Sequence, residues 1–333
     1  MKRVFRNPFV LALTLLILFE LVLRIFFAKN MEGRFEYGFH PTTGFRGTKN
    51  GTVELLRTGG RRFHPQSFSA QRPEGVLRIF TVGDSVPRGP SLQESYPFQL
   101  GEELKGRGIK AESFNLGVAG YGARRRLIVL RQALNYQPSL IILHVNNWTE
   151  YHDEREFRRS QEFKSWHPKN WLMKSLLVRR LYEAKTEQVF WKWLPQEIRQ
   201  QNEINDVDAQ IVAASDEAMQ REWNELVRKC TIESIQLARQ AGVPILLLTR
   251  ASLDYDDAGK PYLNDGGLDE MVALLAGDGV FHLSQREMLQ HLDYQSFYYQ
   301  DRIHLHAPGH AAVAEKIADE LISKQVAPSS VRN

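Results

Sequence analysis

Ser85 stands in the stretch IFTVGDSVPRG (residues 79–89), where an apolar, β-rich run stops at Gly83-Asp84-Ser85 and Pro87 and Gly89 follow. A strand that feeds into a small residue, an acid and a hydroxyl is either turning into an ordinary loop or holding the hydroxyl at the carboxyl end of a sheet. The second place is where open α/β folds present nucleophiles and ligands. A serine hydroxyl is a weak nucleophile until a base takes its proton, and the usual base is a histidine oriented by an acid. Near the other end of the chain, DRIHLHAPGH (301–310) supplies such a pair. Asp301 and His304 are three apart, so in a tight turn both side chains can face the same way. His306 and His310 add an H-x-H-x3-H spacing that a metal could use, but no acid or cysteine nearby completes a ligand set. His310, at a helix start, reads as a structural hydrogen-bonding residue.

Acyl transfer also requires donors for a tetrahedral oxyanion, each worth on the order of 3 kcal/mol. Two further strand ends offer them. NLGVAGYG (115–122) has backbone N–H groups at Gly117, Gly120 and Gly122, and LHVNNWTE (143–150) has the amides of Asn146 and Asn147. Taken singly, glycines serve tight turns and asparagines cap helices. A nucleophile, donors and an acid–base pair on four such stretches are harder to assign to turns alone.

The elements that must carry these residues alternate. Strand-like runs VLRIFTVG, AESFNLGV, SLIILHVN, VPILLLTRA and GVFHLS are separated by helical patterns SYPFQLGEELKGRG, YGARRRLIVLRQALNYQ and NELVRKCTIESIQLARQAG. A last helix, PGHAAVAEKIADELISK, has Pro308 in its first turn. Alternation of this kind predicts an α/β fold, a parallel sheet covered on both faces, and LIILHV and ILLLT are apolar enough for strands buried on both sides. The rhythm breaks at about 149–222, longer than a crossover helix requires. All six tryptophans lie in or beside that segment: Trp148, Trp166, Trp171, Trp191, Trp193 and Trp223. It reads as an insertion, with its tryptophans either anchoring a small core of its own or stacking on sugar rings or sitting at a membrane surface, and the concentration suggests a cap over the site.

The chain has 333 residues, 43% apolar and 25% charged, with a net charge of +4 and acids and bases mixed along its length. No basic stripe interleaved with aromatics is present, so the pattern gives no support to nucleic-acid binding. The single cysteine, Cys230, lies in a helical pattern as a core residue, which excludes an intramolecular disulfide and a cysteine-based metal site. Lys2, Arg3 and Arg6 precede an apolar run that continues to Phe27, interrupted by Glu20 and Arg24. Pro8 to Phe27 has the roughly 20 residues a membrane-crossing helix needs, Glu20 and Arg24 can pair at i, i+4, and no small-x-small cleavage site follows. Residues 1–30 thus read as an uncleaved signal anchor with the body on the extracytoplasmic side, a cleaved signal peptide and an interfacial helix being the alternatives. Residues 31–75, rich in glycine, read as an extended arm with a short hairpin near Thr52–Leu56. The catalytic domain follows over 76–325, with 326–333 a tail.

These blocks resemble the SGNH, or GDSL-type, serine hydrolase family over roughly 76–325, less the insertion. VGDSVPRG matches its first block, with Ser85 as nucleophile and as a backbone oxyanion donor. NLGVAG matches the second, with Gly120 as the oxyanion glycine. The third block is usually G-x-N-D; here Val145-Asn146-Asn147-Trp148 puts Asn147 in the oxyanion position, with Asn146 as the fallback and with valine and tryptophan where glycine and aspartate are usual. DRIHLHAPGH matches the fifth, giving Asp301 and His304. The resemblance implies a three-layer α/β/α fold with a five-stranded, mainly parallel, flavodoxin-like sheet. It implies ester hydrolysis without metal or other cofactor, on lipids, thioesters or acylated sugars; the anchor and tryptophans favour an acylated envelope or extracellular glycan. The same triad would serve an O-acyltransferase, and a tethered binding or assembly protein with a lapsed site is the third reading.

Overall fold

The computed structural model describes residues 8–31, 44–55, 63–151, 153, 175–178 and 216–324. The chain divides into two compact units, Met1–Thr42 with Arg155–Val212 and Thr43–Glu154 with Ala213–Asn333. In the first, helix α1 (Pro8–Met31) is 24 residues long, about 36 Å at 1.5 Å per residue. Its stretch Pro8–Phe26 is long and apolar enough to cross a membrane, a test that a signal sequence also passes. Arg24 Nε donates to Glu20 at 2.8 Å, the pairing expected from their spacing. The Glu20 carboxylate also accepts from the backbone N–H groups of Leu176 (2.7 Å) and Leu177 (2.9 Å) and from the Ser175 hydroxyl (2.8 Å). Trp166, Trp171, Trp191 and Trp193 of the expected insertion lie outside the described residues.

The second unit is built on five parallel strands: β4 (Leu77–Gly83), β5 (Ala111–Gly117), β6 (Leu140–Val145), β7 (Ile245–Thr249) and β10 (Val280–Ser284). Their order across the sheet is β10-β7-β6-β4-β5, every pair parallel. Counted along the chain this is the 2-1-3-4-5 order of doubly wound sheets, whose switch point lies between the first and third strands. Here that point is the gap between the carboxyl ends of β4 and β6. β4, β6 and β7 are buried throughout, as a strand covered on both faces must be. Helix α2 (Ser85–Arg88) follows β4 directly, and α3 (Tyr96–Gly106) and α4 (Ala123–Ala133) come next. Beyond them lie α5 (Glu217–Gln240), α6 (Leu268–Ala273), α7 (Gln285–Leu289) and α8 (Ala307–Ser323). Helices α3 and α8 pack together, and so do α4 and α5. Cys230 is buried on α5.

Two elements differ from the sequence-based expectation. Residues 44–55 and 63–70 are no free arm: β1 (Phe45–Gly47), β2 (Thr52–Leu55) and β3 (Gln66–Ser69) form a three-stranded antiparallel sheet. Two phenylalanines bind it to the α/β core, and a third packs on one of them. Phe68 packs on Phe80 and Phe114, Phe45 stacks on Tyr136 at 5.5 Å, and Phe63 meets Phe45 edge-on. Glycine content described the turns of this segment and not its apolar anchors. A hairpin of β8 (Ser252–Tyr255) and β9 (Pro261–Asn264) follows β7; Asp256 closes it by accepting from the backbone of Ala258 and Lys260.

Candidate active site

Gly83 ends β4 because nothing larger fits. A Cβ there would overlap Pro87 Cγ and come within 3.0 Å of His144 Cβ. Asp84, fully buried, is the N-cap of α2: its carboxylate accepts from Val86 N at 2.9 Å. Gly89 stops the helix after one turn with φ +67°, in the left-handed region that favours glycine. The result is a sharp strand-to-helix turn that lifts Ser85 to the carboxyl edge of the sheet, half-buried.

The histidine arrives from the opposite end of the chain. Residues 298–305 form a tight loop closed by a bridge between Tyr298 and Leu305, with Tyr299 N donating to His304 O at 2.9 Å. Asp301 is held by the loop it belongs to. Its Oδ1 accepts from the N–H groups of Ile303 (2.9 Å) and His304 (3.0 Å), and its Oδ2 lies 2.7 Å from His304 Nδ1. Partial burial pushes the Asp301 carboxyl up, but those two backbone donors and the imidazole outweigh it and hold it below the usual range. With Nδ1–H committed to Asp301, Nε2 is the acceptor for the Ser85 hydroxyl, 2.7 Å away.

The second strand-end loop is tied to the first. Asn115 on β5 donates from Nδ2 to the carbonyls of Pro87 (2.8 Å) and Arg88 (3.2 Å), while its Oδ1 accepts from Gly117 N at 2.8 Å. Val118 N donates to Gly83 O. Gly120 then takes φ +74°, which turns the chain back toward α4. The added β-sheet also braces this corner: Gln66 bonds both backbone groups of Asn115, and His64 Nε2 lies 2.8 Å from Arg88 O.

The two asparagines part company. Asn146, buried after β6, donates from Nδ2 to Asp84 Oδ2, and its Oδ1 accepts from Trp148 N at 2.9 Å. Asn147 is turned the other way: its Nδ2 donates to Asn224 Oδ1 at 2.9 Å, and its Oδ1 accepts from Arg250 Nε and Nη2. Beside the residue that caps the Ser85 helix there is thus Asn146, the residue read from the sequence as the fallback.

Several residues that shape this edge give no motif. Arg126 reaches under the third loop, donating to the carbonyls of His144 (2.8 Å) and Asn146 (2.6 Å) and to Glu150 at 3.1 Å. Glu150 also accepts from Ala123 N at 2.8 Å, and Arg125 pairs with Asp153 at 3.1 Å. Burial pushes the Glu150 carboxyl up to about 8 against the pull of Arg126, with Asp153 adding to the rise. Their sequence signal, RRR at 124–126 and E-x-x-D at 150–153, looks like a solvated charge run. His310 is buried under the site, accepting at Nδ1 from Tyr96 N at 3.3 Å, and the His306 ring lies against Tyr299. Among the described residues no group of three His, Cys, Asp or Glu side chains converges as a metal site would require.

No family model and no curated protein matches the chain. Similar folds occur among solved structures. An acetyl xylan esterase is 14% identical with a TM-score of 0.45, over 74% of this chain and 100% of that one. The family 3 carbohydrate esterase of Clostridium thermocellum is 12% identical with a TM-score of 0.42, over 75% and 96%. A GDSL-like lipase from Bacteroides thetaiotaomicron is 10% identical with a TM-score of 0.39, over 75% and 87%.

Proposed function

We propose that this chain is a serine esterase of the SGNH type, acting by two-step acyl transfer through Ser85, His304 and Asp301. The observation that carries the reading is the unbroken line of polar contacts, Ser85 Oγ to His304 Nε2 and His304 Nδ1 to Asp301, each 2.7 Å, at the switch point of a parallel sheet.

In the first step the Ser85 oxygen bonds to the ester carbonyl carbon as His304 Nε2 takes its proton. Asp301 holds the imidazole in the tautomer that leaves Nε2 free to accept and offsets the charge of the imidazolium. The backbone N–H groups of Ser85 and Gly120 and the Asn146 amide take up the oxyanion, Asp84 orienting that amide, while Asn147 is tied to Asn224 and Arg250. The C–O bond to the alcohol then breaks, His304 returning its proton to the departing oxygen. Water repeats the sequence with His304 as base, releasing the acid and the Ser85 hydroxyl. The substrate is an acylated small molecule or glycan, and α1 tethers the unit to a membrane on its extracytoplasmic side.

The test is labelling of the full-length protein in detergent micelles with a fluorophosphonate probe. Covalent labelling that disappears in Ser85→Ala is the expected result. Equal labelling of both proteins, or none of the wild type, overturns the reading.

A further inference from the structure

Arg250 is a buried cation whose place at this edge nothing above explains. It follows β7 directly, and since Thr249 pairs with Val145 and Arg250 N donates to Val145 O, it stands beside Asn146 on the carboxyl edge that carries Ser85. Its side chain is 4% exposed. A buried guanidinium is costly unless an anion compensates it, yet every hydrogen bond it makes among the described residues goes to a neutral group. Nε and Nη2 donate to Asn147 Oδ1 at 3.2 and 2.9 Å, and Nη1 donates to Ser252 Oγ at 3.0 Å.

The two carboxylates whose fields reach it, Asp84 and Asp265, are committed elsewhere. Asp84 holds Val86 N and Asn146, and Asp265 accepts from Asp269 N and faces Arg286. Of the five guanidinium N–H groups, one on each terminal nitrogen has no acceptor among the described residues. A second observation concerns the surroundings. Gly266, at φ +66°, packs against the Nη2 edge, where a Cβ would stand 2.7 Å from Nη2, so glycine is what lets the loop come this close. Trp148, 36% exposed, lies over the guanidinium at 5.3 Å and walls the other side.

We propose that Arg250 is the anchor for a carboxylate carried by the substrate, next to the ester that Ser85 attacks. The inference rests on the esterase reading and narrows its substrate class. A carboxylate accepts the two uncommitted N–H groups as a fork and supplies the missing countercharge. The carboxylate belongs either to the alcohol part, as in an acylated uronic acid residue of a glycan, or to the acyl part, as in the half-ester of a diacid.

Two matched pairs of esters separate these on the full-length protein in micelles: O-acetylated methyl glucuronoside against its glucoside, and 4-nitrophenyl hemisuccinate against 4-nitrophenyl butyrate. The wild type is expected to prefer the charged member of one pair by about 10- to 100-fold in kcat/KM. Arg250→Gln should remove that preference and Arg250→Lys keep part of it. Equal rates within both pairs, or an equal loss on both members in Arg250→Gln, overturn the proposal, the latter leaving Arg250 a structural prop for Asn147. A readout independent of turnover is the rise in Tm of Ser85→Ala with glucuronate or succinate over glucose, expected to vanish when Arg250→Gln is added. No carboxylate-dependent rise refutes the anchor, whereas a rise in a protein that neither labels nor hydrolyses refutes only the esterase.

Discussion

His304 Nε2 lies 2.7 Å from Ser85 Oγ across 219 positions of chain. The approach depends on Asp301 more than on the length between: one carboxylate oxygen shapes the loop through two backbone N–H groups, and the other fixes the imidazole. Asp301→Asn keeps the side-chain size but favours the tautomer with Nδ1 as acceptor, so Nε2 carries the proton and cannot take one from Ser85. The expected outcome is a fall in kcat of about 10²- to 10⁴-fold with KM little changed. A loss of Tm with kcat retained would make Asp301 a loop-holding residue only.

Gly83 offers a test of the turn itself. Gly83→Ala sets a methyl group against Pro87 and His144, neither of which can yield: one is in the α2 turn and the other in β6. Overpacking of this kind costs about 1–3 kcal/mol. Chemical denaturation is expected to show that loss, and the residual folded protein to be slower with a fluorophosphonate, because the displaced Pro87 moves the start of α2 and with it Ser85.

His310 makes the fold sensitive to acid. It is 1% exposed, and burial, helped by the nearby imidazoles of His144 and His304, lowers its pKa from 6.5 to about 4. Nδ1 accepts from Tyr96 N, so protonation would also remove an acceptor. Between pH 6.5 and 4 the unfolded chain binds a proton here that the folded one refuses. Stability is therefore complete above 6.5 and falls with pH across that window, by on the order of 3 kcal/mol. His310→Asn keeps an acceptor near the Nδ1 position and cannot be protonated. Its urea midpoints should lose most of the slope between pH 6.5 and 4 that the wild type shows; an unchanged slope would place the titration elsewhere.

How far the sequence carried differs by element. β4, β6 and β7 were legible because they are apolar without interruption, and the turn at Gly83-Asp84-Ser85 because its residue types are costly anywhere else in a strand. Alternation gave a parallel sheet, while its flavodoxin-like arrangement was implied only by the family resemblance. Phe45 and Phe68 were not legible as anchors, since lone phenylalanines among glycines and polar residues show no period. Asn146 and Asn147 are adjacent acceptor-donor amides with nothing in their spacing to say which faces Asp84; that choice is made by Arg126 and Arg250, from other strands and helices. Arg126 itself is hidden in a run of three arginines, of which the fold buries two and gives each a carboxylate.

That burial gives the last prediction. Arg126 joins three groups: the carbonyls of His144 and Asn146, which lead into the third loop, and Glu150, which in turn accepts from Ala123 N at the start of α4. Arg126→Met takes this donor from both carbonyls and leaves the Glu150 oxygen with Ala123 N in a dry place, a loss of about 3–5 kcal/mol. Glu150→Gln is different. Burial already favours the neutral form of Glu150, and a glutamine oxygen can still accept from Ala123 and Arg126, so its cost is expected near 1 kcal/mol. If the arginine also sets the height of Asn146, Arg126→Met should lower kcat more than its KM changes, even well below its melting temperature, whereas Glu150→Gln should leave kcat near wild type. Equal stability losses in the two variants would mean that the pair acts as a full ion pair, and an unchanged kcat in Arg126→Met would show that Asp84 alone suffices to hold Asn146.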